Sequence, residues 1–395
     1  MKTRMFYDTE KAFSLKSDGE LQSTFWLFRL INSPALVKLL GKLVKLAIRL
    51  NLPVKGLIKS TIFKQFCAGE TLKESRAVVN KLYEANVKSI LDYSVEAENT
   101  NEAFDETLNE LLKVIEAASG NPAIPYTSVK LTGLVSAGIL EKVGSGSFLT
   151  SPETMDWGLF TGRMNRLFTQ AFVRNVPIYI DAEESWIQTA IDDLAEKLMD
   201  KFNKEHFIVL TTLQMYRHDR LNYLRHLINY AKENKLKLGI KLVRGAYIEK
   251  ENLRSEKLNY PTPIQMSKER TDEDFNKALV MCLDNIDVIM LCAGTHNEES
   301  TLFLLEEMKK RNLPNNHPHI YFSQLYGMSD HISMNLAAQS YNVTKYLPYG
   351  PIKSVIPYLL RRADENTGIS GQMSREFQLV TQERNRREKQ KRLTK

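Results

Sequence analysis

Cysteine is scarce: Cys67, Cys282 and Cys292 are the three in 395 residues, far apart and without a C-x-x-C pair. That excludes a disulfide framework and a thiolate metal cluster, and it suits a reducing compartment. Glycine and proline are few, 18 and 13, which excludes collagen-like repeats and a low-complexity disordered chain. No apolar run approaches the roughly 20 residues that a membrane-spanning helix needs. The first residues, MKTRMFYDTEKAF, carry charges where a secretory signal needs an apolar stretch, so the expected location is the cytoplasm or the surface of a membrane. The phosphate loops G-x-G-x-x-G and G-x-x-x-x-G-K-[ST] are missing, as are H-E-x-x-H and G-x-S-x-G. The commonest nucleotide-loop, zinc-protease and esterase readings fall with them, and no metal site is expected.

What is present is a chain that can build a large core, with 43% hydrophobic and 26% charged residues. Lys and Arg number 54 against 47 Asp and Glu, a net charge of +7. The excess is local: residues 21–69 contain no acid and eight bases, Arg29, Lys38, Lys42, Lys45, Arg49, Lys55, Lys59 and Lys64. Within that stretch Leu36, Leu40, Leu43, Ala47 and Leu50 recur at helical spacing, with Lys38, Lys42, Lys45 and Arg49 on another face. Two readings stand for this basic amphipathic helix: an arm packed on the main domain with solvated lysines, or a membrane-surface contact. The basic end from Gln382, with Arg384, Arg386, Arg387, Lys389, Lys391, Arg392 and Lys395, reads as a solvated or frayed tail. It has no interleaved aromatic residues to stack bases, so nucleic acid is not an expected partner.

From residue 87 onward, eight short β-rich runs alternate with longer segments of mostly helical pattern. They cover 87–95, 123–133, 176–184, 206–214, 236–247, 287–297, 319–327 and 343–350. Strands alternating with helices imply parallel pairing, and eight units over about 280 residues suit a (β/α)8 barrel. The expected fold is α/β: a TIM-like (β/α)8 barrel over 86–370, a helical arm over 1–85 and a basic tail over 371–395.

A barrel of this kind gathers its chemistry at the C-terminal ends of its strands. The polar residues there are Lys130, Asp181, Gln214, Arg244 with Tyr247, His296 with Asn297, Gln324 and Tyr346. Such a set costs stability unless its members pair with each other or with a ligand. After the eighth run, Ser354 is placed to cap a helix with Pro357 in its first turn and Gly368 at its end. Arg361 and Arg362 sit inside it, either bridged to Glu365 on the surface or turned inward to clamp a carboxylate. Lys130 and Lys241 also leave a Schiff-base aldolase open, and the basic arm and tail a non-enzymatic binding protein.

The segments AGETLKES (68–75), ILDYSVE (90–96), IDAEES (180–185), KLVRGAY (241–247), GTHN (294–297), YLPYGP (346–351) and YLLRRADEN (358–366) resemble the proline dehydrogenase family. The resemblance covers most of residues 65–368. It implies a flavoprotein on a distorted (β/α)8 barrel that oxidises L-proline to 1-pyrroline-5-carboxylate by hydride transfer to N5 of FAD. It further implies a quinone as electron acceptor, monofunctional proline catabolism, and a mitochondrial location if the organism is eukaryotic.

Position by position, the resemblance implies that Lys130, Arg361 and Arg362 hold the substrate carboxylate. Asp181 would belong to the same network, with Tyr247 and Tyr346 against the proline ring. Gln214, Val243, Gly245 and Ala246 would line the flavin, and Arg244 would meet its pyrophosphate. Thr295, His296, Asn297, Gln324, Leu325 and Glu365 would complete the cofactor site. Lys241 stands near flavin N5, where many bacterial relatives carry Arg; the charge is kept and the planar fork is lost. Tyr346 resembles a size gauge that favours proline over trans-4-hydroxy-L-proline. The quinone gives the basic arm a reason to meet an anionic membrane.

Overall fold

The computed structural model describes residues 2–31, 55–95, 99–359 and 372–394. The eight β-rich runs become β1 Val87–Tyr93, β2 Tyr126–Val129, β3 Ile178–Ile180, β4 Val209–Gln214, β5 Leu238–Val243, β6 Ile289–Gly294, β7 Ile320–Leu325 and β8 Val343–Tyr349. They close in chain order into a barrel, which is the fold expected from the alternation. Every connection contains helix, and helical crossovers are what parallel neighbours require. Two compact units are distinguishable: Met1–Glu96 with Gln324–Lys395, and Ala97–Ser323.

In the unit 97–323, strand composition follows from burial on both faces. All six residues of β4, VLTTLQ, are buried, as are five of the six in β5. Parallel strands covered by helices outside and by one another's side chains inside read as near-continuous apolar runs. A polar side chain within such a run is therefore conspicuous, and Lys241 in β5 is the clearest. Its register partners are Thr212 on β4 and Cys292 on β6. The helices between strands begin and end on recognisable signals. Thr150 and Glu153 form a reciprocal capping box at the start of Ser151–Arg174, and Asn175 closes that helix in the left-handed conformation.

In the other unit, β1 pairs with β8, setting Ile90 beside Tyr346 and Tyr93 beside Tyr349. An apolar cluster unites Leu21, Phe25 and Phe28 of the helix Asp18–Ile31 with Phe63, Phe66, Val355, Leu379 and Val380.

Two sequence expectations are corrected, the first in part. The basic C-terminal end is solvated, mostly exposed past Gln382, but not frayed: Gln372–Leu393 is a helix, and ahead of the basic end Phe25 stacks on Phe377 with ring centroids 5.1 Å apart. Leu379 and Val380 are fully buried, each worth about 1.5–3 kcal/mol as area removed from water. The charges past Gln382 are partly used. Glu383, with no exposure, accepts from Arg386 and Arg387, and Arg387 also reaches the carbonyls of Phe13 and Lys16, each at 2.9 Å. The second correction concerns the helix after β8, which begins at residue 352. The carbonyl of Pro351 accepts from the amides of Ser354 and Val355 at 2.9 and 3.2 Å, so Ser354 lies inside the first turn and is not its cap. The amphipathic stretch Leu36–Leu50 and the end of this helix at Gly368 lie outside the described residues.

Candidate active site

Lys130 is the first residue beyond β2, and Asp181 the first beyond β3. The amide of Asp181 still bonds the carbonyl of Val129 at 2.9 Å, which sets its carboxylate beside the end of β2. There Lys130 Nζ donates to Asp181 Oδ2 at 2.9 Å, and Lys241 Nζ, rising from inside β5, donates to Oδ1 at 2.5 Å. The Lys241 ammonium also lies 4.9 Å from the centre of the Tyr179 ring. Lys241 is 5% and Asp181 7% exposed. One carboxylate held between two ammonium groups leaves a net positive charge, and low-dielectric surroundings strengthen its pull on an anion.

A second polar group forms at the ends of β5 and β6. Arg244 donates through Nε to Asp272 Oδ1 at 2.7 Å, through Nη1 to Thr295 Oγ1 at 2.7 Å, and through Nη2 to Ser300 Oγ at 2.9 Å. Its guanidinium lies 4.5 Å from the centre of the Phe275 ring. Asn297 is the N-cap of Glu298–Lys310, its Oδ1 accepting the Ser300 amide at 2.9 Å. The Thr295 hydroxyl accepts the Asn297 amide at 3.1 Å, and the Thr295 amide bonds Ser323 O at the same distance. His296 is half-buried between them. The set therefore offers a held guanidinium next to a helix N-terminus, an arrangement that favours anions such as phosphate.

Between Arg244 and Tyr247 the chain turns at Gly245, with φ +132°. A Cβ there would come within 2.3 Å of the Tyr216 ring, so glycine is required for both conformation and contact. Val243 closes β5, Ala246 is exposed, and Tyr247 stands at the N-cap position of Ile248–Leu258 without a side-chain capping bond. Gln214, the last residue of β4, donates to the Glu183 carbonyl at 2.7 Å. In the other unit, Gln324 and Leu325 close β7, and Gln324 Oε1 accepts from Ser333 Oγ at 2.8 Å. Tyr346 is 9% exposed within β8, which continues three residues past it to Tyr349. Arg361, Arg362 and Glu365 lie outside the described residues.

The structure also brings in residues to which the motifs assign no role. Glu183 accepts from Thr132, and Glu251, fully buried, accepts from the amide and hydroxyl of Ser185, both at 2.6 Å. Asp272 and Ser300 hold Arg244. Glu183 had a signal in the sequence, since it lies two residues beyond Asp181 in one polar loop; Asp272 and Ser300 had none.

Comparison with known proteins decides the family. The family model described as proline dehydrogenase matches residues 75–375. This chain belongs to the proline dehydrogenase family. Membership puts it among the oxidoreductases of proline catabolism, and the Schiff-base aldolase and non-enzymatic readings fall away. Proline dehydrogenase 1, mitochondrial, of Dictyostelium discoideum is 34% identical over 93% of this chain and 72% of that protein. Hydroxyproline dehydrogenase of Xenopus laevis is 30% identical over 95% and 88%. Among solved structures, proline utilization A (PutA) from Bdellovibrio bacteriovorus inactivated by N-propargylglycine superposes with a TM-score of 0.72 at 21% identity. That match covers 93% of this chain and 39% of the solved one, so the chain spans about two fifths of that PutA's length. No helix among the described residues is long and apolar enough to cross a membrane.

Proposed function

We propose that this member of the family oxidises L-proline to 1-pyrroline-5-carboxylate with a tightly but non-covalently held FAD and passes the electrons to a quinone. Residues 86–370 would carry the catalysis, with 1–85 as a helical arm and 371–395 as a basic tail. The reading rests on one observation above all. In a chain of this family, Lys130 and Lys241 converge on Asp181 at 2.9 and 2.5 Å beside the ends of β2 and β3, where an amino-acid carboxylate can be met by net positive charge.

The donor set suits FAD. Arg244, locked by three hydrogen bonds beside the N-terminus of Glu298–Lys310, fits a pyrophosphate. Amide side chains at the strand ends, Gln214, Asn297 and Gln324, match the polar edges of a flavin and its adenosine. Val243, Gly245, Ala246, Thr295, His296, Leu325 and Glu365 complete the assigned cofactor contacts, with Lys241 nearest the reacting end. When bound, FAD supplies the hydride acceptor at N5.

The chain's own residues have the task of orientation. Lys130, with Arg361 and Arg362, would grip the substrate carboxylate, while Asp181 holds Lys130 and Lys241 in place. Tyr247 and Tyr346 would flank the proline ring, presenting the carbon next to nitrogen at a fixed height. Such a reaction needs geometry more than a strong acid or base.

An absorbance spectrum tests the cofactor: the pure protein should be yellow, and acid precipitation should release the flavin into the supernatant. Well-folded protein that shows no flavin spectrum after reconstitution with FAD would sink the reading. Replacing Arg361 or Arg362 by Met should leave FAD bound and lower kcat/KM for proline by roughly ten- to a hundred-fold, the worth of a charge-assisted hydrogen bond. Wild-type kcat/KM in both variants would remove the pair from the site. The quinone, the peripheral membrane contact and a cytoplasmic or, in a eukaryote, mitochondrial location belong to the same proposal.

A further inference from the structure

Lys130 leads directly into a short 3-10 turn, Leu131–Gly133, whose middle residue is Thr132. The Glu183 side chain holds that turn from across the strand boundary. Glu183 Oε1 accepts the Thr132 amide at 3.1 Å, and Oε2 accepts the Thr132 hydroxyl. Glu183 is 3% exposed, so a carboxylate has been withdrawn from water to make these two bonds, and an unmatched one would be strongly unfavourable. Its own backbone is fixed just as firmly. The Glu183 amide donates to Gln188 Oε1 at 2.9 Å, and its carbonyl accepts Gln214 Nε2 at 2.7 Å.

The network continues through the helices Ser185–Phe202 and Arg220–Asn234. Gln188 Nε2 donates to Asp192 Oδ1 at 2.8 Å, and Asp192 Oδ2 accepts from Arg220 at 2.6 Å. Gln188 and Gln214, from two elements, thus anchor the Glu183 backbone, and its carboxylate anchors the turn that starts at Lys130. Asp181 and Glu183 lie on the same side of the same loop pattern, one bonded to the Lys130 side chain and the other to the backbone two residues later. The β2 end is consequently held at two points by the β3 end.

Resting on the proline-oxidising reading above, we propose that Glu183 is a positioning residue: through the amide and hydroxyl of Thr132 it sets the height and direction from which Lys130 meets the substrate carboxylate. It touches neither substrate nor cofactor itself. Burial pushes its carboxyl up to about 7, against the two Thr132 bonds that pull it down, which is the signature of a group kept at a structural cost.

The test uses the holoenzyme and compares Thr132→Val, which removes the hydroxyl and keeps the branched shape, with Thr132→Ser, which keeps the hydroxyl. KM for proline should rise about five- to thirty-fold in T132V with kcat within roughly twofold, and T132S should restore most of it. Glu183→Leu, which can accept neither bond, should follow T132V; should it fail to fold, the Thr132 pair decides. The same T132V change is then made in Lys130→Met, reading the proline dependence of flavin bleaching in a single turnover if steady-state turnover is too slow. If Thr132 acts through Lys130, T132V adds less than twofold in that background. An unchanged KM in T132V, or an equal rise in both backgrounds, overturns the proposal. A wild type that binds no FAD and oxidises no proline would instead refute the underlying reading, so the two failures are separable.

Discussion

Asp181 is the residue on which the site's charge balance turns, because both Lys130 and Lys241 donate to its carboxylate. Asp181→Ala leaves Lys241, 5% exposed, without that partner. Removing one side of a buried pair costs about 3–5 kcal/mol, so the midpoint of chemical denaturation should fall accordingly, and Asp181→Asn, which removes the same charge, should fall nearly as far. Equal midpoints for Asp181→Ala and wild type would show that the lysine finds other compensation. Glu183 predicts a pH dependence of the opposite kind from an ordinary salt-bridged acid. Burial lifts its carboxyl from 4.5 to about 7, with Glu184 adding repulsion and Lys130 and Thr132 opposing the shift. Between those values the folded state holds a proton that the unfolded chain has released. Its contribution is therefore complete below pH 4.5 and lost as pH rises to about 7, by roughly 3 kcal/mol at most. Denaturation curves from pH 4.5 to 7.5 should show that fall in wild type and a flatter profile in Glu183→Gln. The proposed site assigns the substrate preference to Tyr346. If its ring packs over C4 of proline, wild type should favour proline over trans-4-hydroxy-L-proline, since a hydroxyl there is desolvated without a partner. Tyr346→Ser should lose much of that preference, mainly by losing proline activity; unchanged ratios of kcat/KM would take the gauge away from Tyr346.

Two elements are defined by a few residues each. The turn after β5 depends on Gly245: at φ +132°, with the Tyr216 ring 2.3 Å from where a Cβ would stand, alanine demands movement of either backbone or ring. Strain of this kind is worth about 1–3 kcal/mol, and because Arg244 precedes it, Gly245→Ala should weaken FAD retention on dilution more than it lowers the melting temperature. The C-terminal helix shows what charge content alone leaves out. From Gln382 onward the chain is so charged that it reads as a tail, yet Leu379, Val380 and the fully buried Glu383 dock it. Its apolar face is narrow, and the docking is completed by Arg387, whose bonds to Phe13, Lys16 and Asp18 join residues 369–374 positions away. Leu379→Ala should cost about 2–5 kcal/mol; a tail frayed in solution would show less than 1 kcal/mol in the same denaturation measurement.

At the scale of the whole molecule, the charge distribution makes its own prediction. The acid-free stretch 21–69 carries eight bases, so if the protein works at an anionic membrane, it should co-sediment with phosphatidylserine vesicles at low salt. At 1 M salt, where screening reaches about 3 Å, it should be released, and neutral vesicles should not retain it. The order and number of strands were legible because each parallel strand is buried on both faces and bounded by polar residues, so an apolar run of the right length marks it locally. For the same reason Lys130, Asp181, Gln214 and Arg244 stood out, as polar groups at equivalent strand ends. Which of them meet was decided only by closure of the sheet. Lys241 reaches Asp181 across 60 residues, and Arg244 finds Asp272 and Ser300 at separations of 28 and 56. A local pattern records which face a side chain takes, since that follows from the strand period of two. The partner depends on register between strands and on the loops that follow them, and those are fixed by the packing of the whole barrel.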